Sequence, residues 1–181
     1  KNLYMSVDPA MRPALSNGQT KLDETMQGGA IGKVIASTSA EFPEGSYVIH
    51  RAGFREYHLS DGSDLNLITL EDESITTHLH ILGTTGLTAY GGLLVTGQLA
   101  DGENVFVSAA AGAVGSVVCQ IAKIKGCRVA ASCGSDDKVA YLKNELGVDH
   151  AFNYKTSSIS RELHTGLPEG IDVYFENVGG A

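Results

Sequence analysis

The sequence has no tryptophan, only three cysteines and only four prolines. Basic residues are also scarce, with 13 Lys and Arg against 21 Asp and Glu. The formal net charge of −8 predicts no general attraction for nucleic acid or for an anionic membrane surface, because both require clustered basic side chains. No run of about 18 apolar residues is present, and the first residues lack the apolar centre of a signal peptide. These absences predict a soluble, cytoplasmic protein with no nucleic-acid or membrane partner.

The three cysteines, Cys119, Cys127 and Cys133, are an odd number crowded into one short stretch. Such a set argues against a disulfide framework and indicates a reducing compartment. Zinc sites need Cys and His ligands at characteristic spacings, and neither these cysteines nor His78 and His80 provide them. We therefore expect reduced thiols in the core and no bound metal.

The length of 181 residues, 43% of them hydrophobic, suffices to bury a core and fits one or two domains. The chain opens on a strand-like run without an initiator methionine, and it stops directly after another apolar run. We expect it to be a fragment of a longer protein.

Two kinds of pattern divide the chain. Residues 1 to about 60 contain short β-like runs separated by Gly, Pro and Ser turns, which predicts a small antiparallel unit. From about residue 102, strands alternate with helical periods, which indicates βαβ units and a parallel sheet. The class is therefore α/β, with the boundary between residues 75 and 101.

The predicted strands are 3–7, 30–36, 47–50, 56–59, 105–108, 128–133, 151–154 and 171–176. One helix is predicted to begin near Gly115 and another to span 136–146. A loop with a helix cap is predicted at 156–160.

A glycine-rich turn follows the strand predicted at 105–108 and opens a helix. A dinucleotide fold needs three small residues here: for the tight turn, for close approach of the backbone to the pyrophosphate, and for helix packing against the strand. Ala110, Gly112 and Gly115 stand at these positions. The helix would then direct free N–H groups and the positive end of its dipole at the phosphates. The alternative is a tight strand-to-helix turn that binds nothing.

The position about 20 residues past the last glycine distinguishes NAD from NADP, because an acidic side chain there binds the ribose 2′-hydroxyl and repels a 2′-phosphate. Gly134 occupies this position. Ser135 can cap the next helix beside the cofactor, and Lys138 in its first turn can reach the phosphate. These residues favour NADP. In the alternative interpretation Asp136 or Asp137 is the ribose acid and Lys138 is a solvated charge.

Asn177 follows the last predicted strand, within Phe175-Glu-Asn-Val-Gly-Gly180. It therefore lies at the carboxyl end of the sheet, where doubly wound folds bind their ligands. Its amide can contact the cofactor ribose, or it can be a turn asparagine before two glycines.

Several blocks taken together resemble the medium-chain dehydrogenase/reductase superfamily, in its zinc-free branch of prostaglandin, curcumin and 2-alkenal or alkenone reductases. The resemblance runs nearly end to end. It is carried by Leu3-Tyr-Met-Ser-Val-Asp-Pro-Ala-Met-Arg12, Gly83-Thr-Thr-Gly-Leu-Thr-Ala-Tyr90, Ala109-Ala-Ala-Gly-Ala-Val-Gly-Ser-Val-Val118, Gly134-Ser-Asp-Asp-Lys138, Phe152-Asn-Tyr-Lys155 and Phe175-Glu-Asn-Val-Gly-Gly180.

The resemblance implies an architecture in three parts. Residues 1–75 would be a partial GroES-like β domain for the substrate, and 76–101 a connecting helical region. Residues 102–181 would be the first half of an NADP-binding Rossmann domain, a partial doubly wound parallel sheet. A full-length member would form a homodimer.

The resemblance also implies roles for single residues. The pyrophosphate would lie along the turn, and Lys138 with Tyr154 would hold the 2′-phosphate end. The nicotinamide side would be contacted by Asn177 and approached by Thr88, whereas Phe54 would border the substrate cleft. Without the resemblance, Phe54 is a packed aromatic and Tyr154 a half-buried strand residue. The residues implied along the pyrophosphate are Gly112, Ala113, Val114 and Gly115.

The activity expected of such a protein is NADPH-dependent reduction of the C=C bond of α,β-unsaturated ketones or aldehydes, without zinc. Hydride would add to the β-carbon, and the resulting enolate would be protonated at the α-carbon. No residue in the chain is a convincing proton donor, so the catalytic residues are left unassigned. The alternatives are a quinone reductase of the same superfamily, a non-catalytic NADPH-binding protein, and a methyltransferase, against which Gly134 argues.

Overall fold

The computed structural model describes residues 1–179. Their contacts divide the chain into two compact units, Lys1–His80 and a second that begins at Ile81. The α/β class predicted from the sequence is confirmed, with an antiparallel sheet in the first unit and a parallel sheet in the second. In the described part of the chain, no helix is both long and apolar enough to cross a membrane.

The first unit is an antiparallel sheet in the order β1-β2-β3-β4. Its core is small: Ala30 and Ile31 of β2 and Val48 of β3 are buried, with Phe42 from a loop. In β3 buried residues alternate with partly exposed ones, whereas three consecutive residues of β2 are buried. The elements of the first unit are β1 (Asn2–Met5), α1 (Met11–Ser16), β2 (Ala30–Lys33), β3 (Tyr47–His50), β4 (Asn66–Ile68) and a 3₁₀ helix (Ile75–Leu79).

The strand predicted at 56–59 is wrong, because the fourth strand is Asn66–Ile68. The alternation that predicted it does not bury a face: Tyr57 and Leu59 are both exposed. The segment is held instead by Asn2, whose backbone N–H donates to Glu56 O at 2.8 Å. β3 pairs with β4, which the sequence pattern did not reveal.

The second unit begins with helix and continues as βαβ units. Its parallel sheet has the order β7-β6-β5-β8. The predicted strand 128–133 is reproduced residue for residue, and the helix predicted near Gly115 begins two residues earlier. The elements are α2 (Thr84–Tyr90), which runs into a π-helical turn (Gly91–Thr96), β5 (Asn104–Val107), α3 (Ala113–Ile124), β6 (Arg128–Cys133), α4 (Asp136–Asn144), β7 (His150–Asn153), α5 (Ile159–Gly166) and β8 (Val173–Phe175).

Both faces of the parallel sheet carry helices, as parallel sheets require. On one face a large apolar cluster joins the sheet to α3 and α4, with Val118 and Leu142 fully buried. On the other face, Phe106 and Phe152 pack with Leu163 and Leu167 at α5. The sheet is therefore a rigid base for the loops at its edges.

The strand order reverses between β5 and β8, since β6 and β7 lie on one side of β5 and β8 on the other. In doubly wound folds, ligands bind outside the carboxyl ends of the strands at such a reversal. In the second unit, a ligand is therefore expected at the loops after β5, β6, β7 and β8.

Candidate nucleotide-binding site

The turn after β5 is anchored to the neighbouring strand. Ala109 has a positive φ of 43°, a conformation that side chains other than glycine rarely adopt. The N–H of the buried Ala110 donates to Ser132 O on β6 at 3.0 Å, and the N–H of Gly112 donates to Ala109 O at 2.9 Å. These bonds fix the path of the chain from the strand into α3.

Gly115 allows α3 to lie directly on this turn. A Cβ at position 115 would lie 2.6 Å from Ala109 O and 2.7 Å from Ala110 Cα, closer than real Cβ atoms come to backbone. This is the third role expected of a small residue in a dinucleotide turn, the close packing of helix against strand.

The first turn of α3 presents backbone donors. Gly112 is the N-cap residue and makes no side-chain cap. Within residues 1–179, the N–H groups of Ala113, Val114 and Gly115 have no acceptor. Unsatisfied N–H groups and the positive end of the helix dipole together favour a bound anion such as a phosphate.

A closed polar network joins the carboxyl ends of β5 and β8. The buried Ser108 donates its hydroxyl to Glu176 Oε1 at 2.8 Å and accepts the Asn177 N–H at 2.8 Å. The side-chain amide of Asn177 donates to Ser108 O at 2.9 Å. Asn177 is therefore oriented by the network, and its side-chain oxygen, which accepts no bond from the described residues, remains available to a ligand.

The Glu176 carboxylate is the acceptor at the centre of this network. Burial raises its pKa, but hydrogen bonds from the Val178 N–H, the Ser108 hydroxyl and the Gly179 N–H outweigh that effect, and the net pKa lies below the usual glutamate value. Glu176 is thus held as an anion that gathers backbone donors. This charge was not identified from the sequence.

Two side chains approach the carboxyl end of β6 closely. A Cβ at Gly134 would lie 3.2 Å from Tyr154 Oη and 3.5 Å from Lys155 Nζ. The two side chains approach because β7 runs parallel to β6, with Asn153 beside Cys133. The structure thus brings together Gly134 and Tyr154, which the sequence predicted as parts of one site, and adds Lys155.

The helix after β6 carries the other residues predicted for this end. Ser135 occupies the N-cap position of α4, but it makes no side-chain cap, so the predicted capping bond is absent among the described residues. Lys138 and Asp137 are exposed in the first turn. Asp136 accepts a hydrogen bond from Asn153 Nδ2 at 2.8 Å, which ties its carboxylate to β7.

Thr88 and Phe54, the two remaining predicted residues, lie away from these loops in sequence. Thr88 in α2 is exposed, and its hydroxyl donates to Thr84 O at 2.7 Å. Phe54 belongs to the first unit, where a Cβ at Gly28 would lie 3.2 Å from its ring and 2.6 Å from the methyl of Met11. Phe54 is half-buried, so it packs locally and still presents part of its ring to solvent.

Three residues at this edge were missed from the sequence: Ser108, Lys155 and Glu176. Lys155 is the last residue of a block that carried the family resemblance, directly after Tyr154, so a signal for it was present. Ser108 and Glu176 lie 68 residues apart in sequence, and no local pattern joins them.

The three cysteines are free and buried. Burial raises the pKa of Cys119 to about 12 and raises that of Cys133 as well. In the described part of the chain, no group of three or more His, Cys, Asp or Glu side chains could hold a metal ion.

The first unit also encloses a cavity of about 490 Å³. It is lined in part by His50 and His58, whose rings stack with centroids 5.0 Å apart. None of the binding residues predicted from the sequence lines this cavity.

Comparison with known proteins agrees with this geometry. Residues 1–68 match the family described as the N-terminal domain of oxidoreductase, and residues 113–181 match the family described as zinc-binding dehydrogenase. Prostaglandin reductase 1 of Rattus norvegicus is 47% identical over 98% of this chain and 54% of its own length. The chain belongs to the medium-chain dehydrogenase/reductase superfamily. The resemblance predicted from the sequence blocks is thereby confirmed.

Two further members of this superfamily extend the comparison. The 2-alkenal reductase (NADP(+)-dependent) of Nicotiana tabacum is 41% identical over 99% of this chain and 55% of its own length. The crystal structure of CurA in complex with NADPH from Vibrio vulnificus has a TM-score of 0.89 and 39% identity, covering 99% of this chain and 55% of that one. The chain thus spans about half the length of the relatives it matches.

Proposed function

We propose that this chain serves in an NADPH-dependent oxidoreductase that reduces the C=C bond of α,β-unsaturated ketones or aldehydes. The observation that carries the proposal is the combination of a glycine turn, whose helix begins with free N–H groups, and an uncharged end of β6 with lysines near it. The relatives support it: one is a prostaglandin reductase, another a 2-alkenal reductase dependent on NADP(+), and CurA was crystallised with NADPH.

The residues at the edge of the parallel sheet fit the proposed cofactor. Gly115 leaves no room for a side chain between α3 and the turn, and the free N–H groups of Ala113, Val114 and Gly115 suit a pyrophosphate. Gly134 places no carboxylate where a 2′-phosphate would lie. We assign Gly112 to the pyrophosphate as well, and Lys138, with Ser135 beside it, to the adenosine end.

NADPH, when bound, would supply a hydride for the β-carbon, and the resulting enolate would be protonated at the α-carbon. The chain's own residues orient the cofactor. The network of Ser108 and Glu176 orients Asn177 at the strand reversal. We assign its side-chain oxygen to the nicotinamide half. Tyr154 holds the opposite half, and we assign Thr88 and Phe54 to the nicotinamide and substrate sides.

The activity is tested with the full-length protein, NADPH labelled with deuterium at the transferable position, and a simple enone. We expect the saturated ketone with deuterium on the β-carbon, measured by NMR. Reduction of a quinone with no enone turnover would overturn the assignment in favour of a quinone reductase. Tight NADPH binding without turnover of either acceptor would leave a non-catalytic binding protein.

The cofactor assignment has a separate test in Lys138→Ala. Because the lysine is proposed to bind the 2′-phosphate, we expect about tenfold weaker NADPH binding and unchanged NADH binding, measured by fluorescence titration. Equal loss for both cofactors would remove Lys138 from the phosphate site.

Two further features of the whole protein belong to the same proposal. We infer a cytoplasmic location from the reduced, buried cysteines, and a homodimer from the family resemblance. Small-molecule enones and enals are the proposed partners, and size-exclusion chromatography with light scattering tests the dimer.

A further inference from the structure

The side chain of Lys155 lies beside the carboxyl end of β6. Its Nζ and Cε would lie 3.5 and 3.4 Å from a Cβ at Gly134, alongside Tyr154 Oη at 3.2 Å. Gly134 thus faces a phenol and an ammonium together, at distances that leave little room for a side chain at this position.

The backbone of Lys155 is held in place by a buried asparagine. Asn153 is 8% exposed, and its side-chain oxygen accepts the Lys155 N–H at 3.1 Å. Its amide donates to Asp136 Oδ1 at 2.8 Å. The Asn153 side chain therefore holds the backbone of Lys155 just after β7. It also binds an oxygen of Asp136, an acid in α4.

The charge of Lys155 is not used elsewhere in the described part of the chain. Its Nζ makes no ion pair with a carboxylate there, whereas Lys123 is paired with Asp149 at 2.8 Å and Lys125 with Asp101. A phosphate monoester carries close to two negative charges at neutral pH. One lysine neutralises half of that charge.

We propose that Lys155 is a second cation for the 2′-phosphate of NADPH and a determinant of the preference for NADPH over NADH, with Asn153 as its positioning residue. The proposal rests on the proposed function. It adds a residue in the turn after β7 to the lysine expected on α4. Lys138 lies on α4 and Lys155 follows β7, so the two cations for the phosphate would come from different elements.

The test compares Lys155→Met with Lys143→Met in the full-length protein. Methionine keeps an unbranched apolar stem and removes the charge, and Lys143 is an exposed lysine near the other end of α4. We expect Lys155→Met to weaken NADPH binding about tenfold and NADH binding less than about twofold, with Lys143→Met changing neither. Lys155→Arg should retain most of the NADPH affinity.

A second readout is the dependence on salt. The loss of a cation should flatten the decrease of NADPH affinity between low and high ionic strength, because exposed charge pairs are screened. Unchanged NADPH affinity in Lys155→Met, or equal loss for both cofactors, would overturn the role of Lys155. If the wild type itself bound NADH as tightly as NADPH, the proposed preference for NADPH would be wrong, whatever the role of Lys155. The two failures are therefore distinguishable.

Discussion

The two ends of the proposed cofactor site differ in what their polar side chains bind. At β5 and β8, the polar side chains bind one another: Ser108, Glu176 and Asn177 form a closed network. At the ends of β6 and β7, the side chains of Tyr154 and Lys155 meet over a glycine, and neither side chain makes a hydrogen bond or ion pair among the described residues. The first arrangement sets the shape of the backbone, and the second leaves charge free for a ligand.

This difference predicts how each end responds to substitution. Changes at β5 and β8 should affect every dinucleotide alike, because they disturb the frame. Changes at β6 and β7 should separate NADPH from NADH, because only one of them carries the 2′-phosphate.

The largest effect is expected at the turn itself, from Gly115→Ala. The new Cβ would meet Ala109 O at 2.6 Å, so we expect a loss of about 3 kcal/mol in the free energy of unfolding and loss of binding of both cofactors. Urea unfolding measures the first and fluorescence titration the second. Gly91→Ala is the matched control, since a Cβ there contacts nothing within 4 Å, and it should be neutral. A stable Gly115→Ala variant would refute the close packing.

The second largest effect is expected from Gly134→Asp at the carboxyl end of β6. A carboxylate beside Lys155 Nζ would pair with the lysine and repel the 2′-phosphate, so NADPH affinity should fall about 100-fold while NADH affinity changes less than about threefold. Titration of both cofactors checks the result. Gly134→Asn, of equal size and no charge, separates repulsion from crowding. If the Asn variant lost NADPH equally, charge would not be the cause.

A smaller and unselective effect is expected from Ser108→Ala at the closed end. It removes the donor to Glu176 and the acceptor of the Asn177 N–H, so binding of NADPH and NADH should weaken together, about fivefold. Thr165→Ala removes a hydroxyl that bonds within α5 and should leave both affinities unchanged. A selective loss of NADPH would contradict the comparison between the two ends.

The smallest effect concerns pH and Glu176. Its pKa in the folded protein lies below the usual value, so its contribution to stability is present above about pH 4.5 and is lost as the pH falls through the folded pKa. Because the group is exposed, we expect less than about 1 kcal/mol. The measurement is urea unfolding of wild type and Glu176→Gln from pH 6 to 3. A difference that grew toward low pH would have the wrong sign.

The second unit could be predicted from the sequence more closely than the first. Residues 128–133 form β6 as predicted, because an apolar run that is buried on both faces and bounded by turns has few other interpretations. In the first unit, the residues 66–68 of β4 are a short, half-polar run whose strand state depends on pairing with β3. Pairing of this kind cannot be seen in local periodicity.

The site follows the same division. The turn from Ala110 to Gly115 was predicted because its needs are local: small residues where backbone and helix approach. Lys155 depends on the register between β6 and β7, and Ser108 and Glu176 on the pairing of β5 with β8. These residues acquire their roles only when distant strands are placed side by side.

The burial of the cysteines has a consequence for an enzyme of the proposed kind. Unsaturated aldehydes alkylate cysteine, and the attacking species is the thiolate. Cys119, Cys127 and Cys133 are each 2% exposed or less, and with a pKa of about 12 Cys119 is almost entirely protonated at neutral pH. This part of the protein therefore offers its proposed substrates no exposed cysteine thiolate with which to react. Mass spectrometry after exposure of the folded protein to an enal should find no adduct at these three positions, and adducts should form once the protein is unfolded.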